Sequence, residues 1–538
     1  MNSRTDSRNS IAQVKDTIES ILIALILAFI FRAFIVEAFV IPTGSMAPTL
    51  YGQHVDHVCS NCGYSYAMGV GTIPSRIKCP NCEWIDEITE RRPAVDSGDR
   101  ILVLKWPFAL DGSLGPQRWD VVVFKAPFTS PASAERDGQT NYIKRLVGMP
   151  GEILEVLDGD VYKSAADAVP EAIRAKLLAS PLPEPLTAEE RDELDKHLQI
   201  LQKAPEAQEV LWQIVYDMDY PPERIQLGVT PTWTPLTAQS DWKVGRRAMR
   251  IGAPEGEPQF VQLEGKSFRD DYGYNNGGDM RIVSDLRLAT TIAWHGGEGP
   301  LLLQLSKRNE LYTMEVYPRK GTGRTLRTSL DQSQPEEVID LPWSFRPWRR
   351  NWPVKVAFVN VDHRLQVWMD DKLVWQSPPD AFPTSAAWAR QAKPMYEVKS
   401  PIVRIGAADL QADLRHTAVH RDVYYRDADR ISSHDALGRP VPSEFAGLPG
   451  WGTRDNPMLL RQNEYFVLGD NSPQSLDSRA WWQAGEHMRG RADGYRVGTV
   501  PADQMIGKAF FVYWPSGYRL FGYGLPIVPN VGEMRWIR

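Results

Sequence analysis

Ser45 stands at the centre of Ile41-Pro42-Thr43-Gly44-Ser45-Met46-Ala47-Pro48-Thr49-Leu50, where two prolines and a glycine force an irregular turn expected to lie exposed at the surface. A hydroxyl in such a turn becomes a nucleophile only if a base takes its proton. The G-x-S-x-G elbow is absent, because glycine directly precedes Ser45. None of the nine histidines shares a recognisable triad motif, and His416 and His420 lie on an alternating, strand-like segment that suits surface or packing roles. Lysine is the other available base, acting as a neutral amine. With a free pKa near 10.4, only about one lysine in 2,500 is neutral at pH 7, so apolar burial must lower that value by several units. Lys144 in Asn141-Tyr142-Ile143-Lys144-Arg145-Leu146-Val147-Gly148-Met149-Pro150-Gly151-Glu152 has the required apolar flanks. Taken alone, it reads as a strand lysine pointing to solvent.

Other segments change that reading. Gly98-Asp99-Arg100-Ile101-Leu102-Val103-Leu104-Lys105 is a turn followed by a strand, and residues 466 to 479 (FVLGDNSPQSLDSR) are a strand running into a polar loop. An apolar anchor, then IPTGSMAPTL, GDRILVLK, YIKRLVGMPGE, GDNSPQSLDSR and GTVPADQMIGKAFFVYWP follow one another in the chain. In this order the sequence resembles the type I signal peptidases, membrane-anchored Ser/Lys proteases that remove signal peptides from exported proteins. The resemblance implies Ser45 as nucleophile and Lys144 as general base, with no catalytic cofactor. It implies an oxyanion hole made by the Ser45 backbone N–H and the Thr43 hydroxyl, where many relatives carry serine. It further implies that Ser475 hydrogen-bonds and orients the lysine, that Asp477 with Arg479 and Asp470 with Arg145 form stiffening ion pairs, and that Gly469 and Asn471 belong to the supporting loop. The implied substrate is an extended segment ending in small residues, commonly Ala-x-Ala, added as a strand beside the site.

Cys59-Ser60-Asn61-Cys62 and Cys79-Pro80-Asn81-Cys82 form two C-x2-C knuckles around a sixteen-residue spacer. Each knuckle sets two thiolates on one side of a tight turn, and four complete a closed tetrahedron, so Cys59, Cys62, Cys79 and Cys82 read as a structural zinc ribbon. Two disulfides are the rival reading outside the cytoplasm. The module is an addition to the family pattern.

The elements that must position these residues follow from the rest of the chain. At 538 residues the protein is too long for one domain, and 24% charged residues exclude a polytopic membrane protein. A net charge of −6 leaves no basic stripe, so nucleic acid is not a partner. Ile18 to Ile35 is the one bilayer-spanning candidate, preceded by Arg4, Arg8 and Lys15 and followed by no Lys or Arg from Ala33 to Ser75. The N-terminus is therefore expected in the cytoplasm and the rest outside the plasma (inner) membrane. RAFIVEAFVIP offers no small-x-small cleavage pattern, which argues for an uncleaved anchor over a signal peptide.

The interval from Gly151 to Gly469 is far longer than a hairpin and loop need. Asp158-Gly159 signals a hairpin, and residues 165 to about 217 read as helical, Thr187 and Glu190 forming a capping box for a helix through about Lys203. Met280–Trp294, Pro300–Pro318, Pro353–Gln376 and Pro401–Tyr425 read as paired strands, with Asp370-Asp371 as one turn, which suggests a two-sheet sandwich resembling laminin-G-like or concanavalin-like jelly rolls. The run Asp270 to Asp279 reads as a polar turn in preference to a calcium loop. Trp106-Pro107-Phe108 and the stretch Tyr513 to Phe521 suit either core packing or the membrane interface.

The expected fold class is mainly β: a single N-terminal transmembrane helix, an antiparallel β catalytic core of signal peptidase type, an inserted zinc ribbon, and an inserted jelly-roll-like sandwich with a short helical segment. The expected division is a cytoplasmic tail 1–17, an anchor 18–36, core 37–52 and 87–164, ribbon 53–86, helical segment 165–208, sandwich 209–428, and core again 429–538. Expected partners are precursors bearing signal peptides, membrane lipid and the secretion translocon, with the sandwich ligand open. Two other readings compete: a membrane-anchored recognition protein with a relic peptidase core, and a Ser/Lys self-cleaving regulator, which the anchor and the lack of a DNA-binding module disfavour.

Overall fold

The computed structural model describes residues 3–70, 75–88, 95–109, 115–128, 140–179, 182–271, 273–274, 281–330, 339–379, 381–391, 400–427, 447–491, 494–516 and 530–537. The helix Ser3–Ile30 continues into a wider turn, Phe31–Ile35, and the stretch Lys15–Ile35 is long and apolar enough to cross a membrane, with a mean hydropathy of 2.4 and none of it buried in the rest of the chain. The helix begins well before Ile18, so the expected tail is largely helical. Strand Val36–Val40 follows at once, one residue inside the expected span. Its partner is Arg100–Leu104, with Val36 opposite Leu104. The apolar helix is thus joined to the edge of a sheet by no linker.

That sheet runs Val36–Val40, Arg100–Leu104, Met505–Trp514, Val121–Lys125, Asn141–Gly148, Glu464–Leu468 and Val500–Pro501, with antiparallel neighbours. The lysine strand sits near its middle, and Ile143 through Gly148 are all buried. A continuous buried run on a strand requires cover on both faces, because successive side chains alternate. One face packs Ile41, Met46, Leu50, Ile101, Val103, Val123 and Ile143 into one cluster; the other packs Phe124, Phe128, Leu146 and Trp481. The chain then turns at Pro150-Gly151 into a smaller sheet, Glu152–Leu157, Asp160–Ala165, Gln199–Ile200 and Met458–Leu459. Asp158 and Gly159 both have positive φ, as the hairpin there demands.

The segment from 165 to 217 is less helical than expected. Helices Glu171–Leu177, Ala188–His197 and Pro205–Leu211 form, and the Thr187/Glu190 capping box is complete. The capped helix ends at His197, not Lys203, because Leu198 takes an extended conformation and Ile200 pairs with Tyr162. Gln213–Asp217 is a strand, drawn out by pairing with Leu410–Arg421.

Two further sheets face each other. One contains Ala248–Ala253, Leu410–Arg421, Leu286–Gly296, Pro353–Val361, Arg364–Met369 and Lys372–Gln376; the other contains Gln259–Glu264, Val403–Ala407, Leu301–Lys307, Glu310–Tyr317, Thr322–Ser329 and Ile339–Ser344. Leu288, Ile292, Val356 and Leu414 from the first interleave with Leu303, Met314, Val261 and Ile405 from the second in a single core, which makes the pair a sandwich. Asp370 and Asp371, both at positive φ, form the expected tight turn.

Candidate active site

Ser45 lies in a short 3-10 turn, Gly44–Met46, and is buried, not exposed as the proline-rich sequence implied. The reason is its neighbours: Met46 and Leu50 plug the loop into the cluster under the sheet. The loop is tied at both ends. Ile41 N–H donates to the Asp99 carbonyl (2.9 Å), Tyr51 N–H to Asp99 Oδ2 (3.0 Å), and Arg535 Nη2 bridges the Thr49 carbonyl (3.0 Å) and Asp99 Oδ2 (2.9 Å). Asp99 was visible in the GDR segment; Arg535 gave no signal, since it reaches this loop from the far end of the chain.

Lys144 Nζ stands 2.7 Å from Ser45 Oγ and also donates to the Ile143 carbonyl at 2.8 Å. Its side chain is buried, with the Tyr142 ring centre 5.5 Å away on the same strand face. Burial pushes the Lys144 ammonium down to about 8, against the opposing pull of Asp477 and Asp470. An amine so tuned can exchange a proton with a hydroxyl near neutral pH.

Arg145 points to the opposite face. It forms a two-pronged pair with Asp470, Nε to Oδ1 at 2.8 Å and Nη2 to Oδ2 at 2.7 Å, while Thr49 Oγ1 donates to Asp470 Oδ2 at 2.6 Å. Thr49 thus links the Ser45 loop to the GDN loop, a role the sequence did not suggest. Asp477 receives Arg479 Nε (2.9 Å) and Nη2 (2.7 Å) and the Gly469 N–H (2.9 Å). Burial alone would raise the Asp477 pKa, but Arg479, the Gly469 amide and a smaller contribution from the Ser475 hydroxyl hold the carboxyl below its ordinary value.

Asn471 holds the Ser45 turn directly. Its N–H donates to the Ser45 carbonyl at 3.0 Å and its Nδ2 to the Gly44 carbonyl at 2.9 Å. Gly469 permits this approach, since a methyl there would fall 2.6 Å from the Ser45 carbonyl oxygen. Ser475 is not placed as expected. Its hydroxyl packs on Gly469 without a hydrogen bond to Lys144, whose second partner is the Ile143 carbonyl. Thr43, two residues before Ser45, is exposed and in extended conformation.

The four cysteines converge. Cys59 and Cys82 Sγ lie 3.6 Å apart and Cys62 and Cys79 Sγ 3.7 Å apart, all four are free thiols, and the set can hold a metal ion. A tetrahedral ion with bonds of about 2.3 Å needs sulfurs roughly 3.8 Å apart, so the set fits. Hairpins His54–Val58/Ser65–Gly69 and Arg76–Lys78/Ile85–Glu87 carry the two knuckles. Asp270 and Asp271 are engaged by Arg426 and Lys78; most of the rest of that acidic run, like Gly517 to Phe521, lies outside the described residues.

The sequence matches the family described as signal peptidase, peptidase S26, over residues 14–210 and 423–514, more than half of the chain. The chain belongs to the signal peptidase, peptidase S26, family. Curated relatives agree: it is 29% identical over 157 residues to signal peptidase I of Rickettsia prowazekii, covering 29% of this chain and 46% of that protein. It is 24% identical over 168 residues to signal peptidase I of Rickettsia bellii, covering 30% and 43%. The chain therefore spans less than half of the relatives it matches. The stretch between the two matched parts is the one that builds the facing sheets. Among solved structures it is similar to carbohydrate binding module CBM66 from Bacillus subtilis, at 14% identity and a TM-score of 0.23, over 35% of this chain and 94% of that one.

Proposed function

We propose that the protein is a membrane-bound serine endopeptidase that removes N-terminal signal peptides from exported precursors, with Ser45 as nucleophile and Lys144 as general base. One observation carries the reading: the two side chains are buried together at 2.7 Å, with the amine lowered to about 8. The neutral amine accepts the Ser45 hydroxyl proton as Oγ attacks the scissile carbonyl. The Ser45 N–H and the Thr43 hydroxyl take the developing oxyanion; one such donor contributes about 3 kcal/mol. The lysine ammonium then returns the proton to the leaving amine, and water resolves the acyl-enzyme by the same route.

In this reading the helix holds the site against the membrane with its N-terminus cytoplasmic, residues 53–86 bind a closed structural zinc ion through Cys59, Cys62, Cys79 and Cys82, and residues 209–428 are an insertion. The recognition-protein reading is not favoured, since it leaves the Ser45/Lys144 contact without a purpose. Purified protein in detergent, given a precursor with an Ala-x-Ala site, tests the proposal: cleavage is expected from the parent and not from Ser45→Ala. Equal cleavage by both overturns it.

A further inference from the structure

The segment from Lys266 to Tyr274 lies between sandwich strands in the sequence, yet it reaches three parts of the site. Lys266 pairs with Glu83 and Asp271 with Lys78, both next to the second cysteine knuckle. Asp270 accepts from Arg426 Nε at 2.8 Å. The Arg426 backbone N–H donates to Ser472 Oγ at 2.9 Å, and that hydroxyl also receives Arg479 Nη1, whose guanidinium binds Asp477.

Tyr274 goes furthest. It is buried, its hydroxyl donates to the Gln53 carbonyl at 3.0 Å, and its ring covers the Cα of Gly44. A methyl on Gly44 would stand 1.9 Å from Tyr274 Cε1. Ala47, Ala67 and the partly buried Tyr51 complete the contact.

The consequence follows from the backbone of the turn. Gly44 immediately precedes Ser45, and glycine is the residue least restricted in φ and ψ. Asn471 restrains the turn only through the carbonyls of Gly44 and Ser45. The open Cα face of Gly44 is filled by an aromatic ring from a different part of the chain.

We infer that Tyr274 is a positioning residue for Ser45: by blocking movement of Gly44 it presets the Ser45 amide and hydroxyl, which makes the sandwich part of the catalytic geometry and not a spacer. The inference rests on the peptidase reading above.

The test uses the full chain in detergent, as parent, Ser45→Ala, Tyr274→Phe and Tyr274→Ala, with kcat and KM on an Ala-x-Ala precursor, thermal melting, and amide hydrogen exchange at Ala47 and Leu50. Tyr274→Ala is expected to lower kcat by up to about 100-fold with little change in KM, as a displaced nucleophile does. Tyr274→Phe keeps the ring, loses one hydrogen bond, and stays within about 10-fold of the parent. Should Tyr274→Ala not fold, Tyr274→Leu carries the same expectation. A kcat for the folded variant equal to the parent's overturns the inference and leaves the peptidase reading standing. If the parent itself does not cleave, the peptidase reading falls and hydrogen exchange decides Tyr274: faster exchange at Ala47 and Leu50 in the Ala variant supports its hold on the turn, and unchanged exchange overturns it.

Discussion

Lys144 shows how burial tunes an amine. Its amine is held down to about 8 by desolvation, and Asp477 and Asp470 limit the fall. In the proposed mechanism only the neutral form works, so kcat/KM should rise about tenfold per pH unit below pH 8 and level off above it; a pH-rate profile flat from 6 to 9 would exclude this lysine as the base. The same shift has a stability sign. Between about 8 and the ordinary value of 10.5 the denatured chain binds the proton and the native chain does not, so stability should rise with pH across that window. Lys144→Met should therefore abolish cleavage while leaving the melting temperature at pH 7 equal or higher, because an apolar side chain of similar length removes the cost of burying the charge. The buried Arg145/Asp470 pair behaves in the opposite way. Asp470→Ala strands a guanidinium and frees Thr49, and denaturant titration should show a loss of roughly 3–5 kcal/mol.

The elements around the site hold one another through side chains in turns. The two knuckles are near copies: Gly63 N–H donates to the Cys59 carbonyl, and Glu83 N–H to the Cys79 carbonyl. Each places an asparagine outward. Asn61 binds the Arg224 backbone through both amide atoms, at 2.7 and 3.0 Å, while Asn81 binds Asp217 N–H at 2.7 Å and the Tyr220 carbonyl at 3.0 Å. The ribbon is thus clamped to the strand Gln213–Asp217 and its following turn, and through Ala67 it also touches the Ser45 loop. Loss of the proposed zinc ion should consequently be felt beyond the ribbon. Cys59→Ser, or exhaustive chelation, is expected to remove about one zinc per chain and to lower the melting temperature of the whole protein; an unchanged melt with the metal gone would show the ribbon to be an independent appendage.

At the scale of the molecule, the sandwich and the catalytic sheets share buried charge. Lys203 bridges Asp362 and Asp422. Lys307 bridges Asp160, at the start of the strand Asp160–Ala165 in the smaller sheet, and Asp285, just before the sandwich strand Leu286–Gly296. Groups of this kind cannot be separated without exposing or orphaning ions, so the chain should unfold in one cooperative step despite its modular sequence. Lys203→Ala is expected to split the calorimetric transition in two. Two transitions already present in the parent would count against this coupling.

Much of this organisation was legible in the chain itself. Ser45, Lys144 and the cysteine quartet are local patterns, and strand pairs follow from alternation and from turn residues such as Asp158-Gly159 in the smaller sheet and Asp370-Asp371 in the sandwich, whose backbone preferences act over a few residues. What stayed hidden was long-range. Whether Ser45 is buried depends on where Met46 and Leu50 find a core; the second partner of Lys144 is a backbone carbonyl that no motif names; the helix after Thr187 stops where Ile200 meets Tyr162. Arg535 and Tyr274 lie far from Ser45 in the sequence and reach its loop, at Thr49 and Gly44, only through tertiary packing. Local chemistry selects which residues can act, but only the folded chain decides which distant side chains close around them, because those contacts depend on loop closures that no short window of sequence encodes.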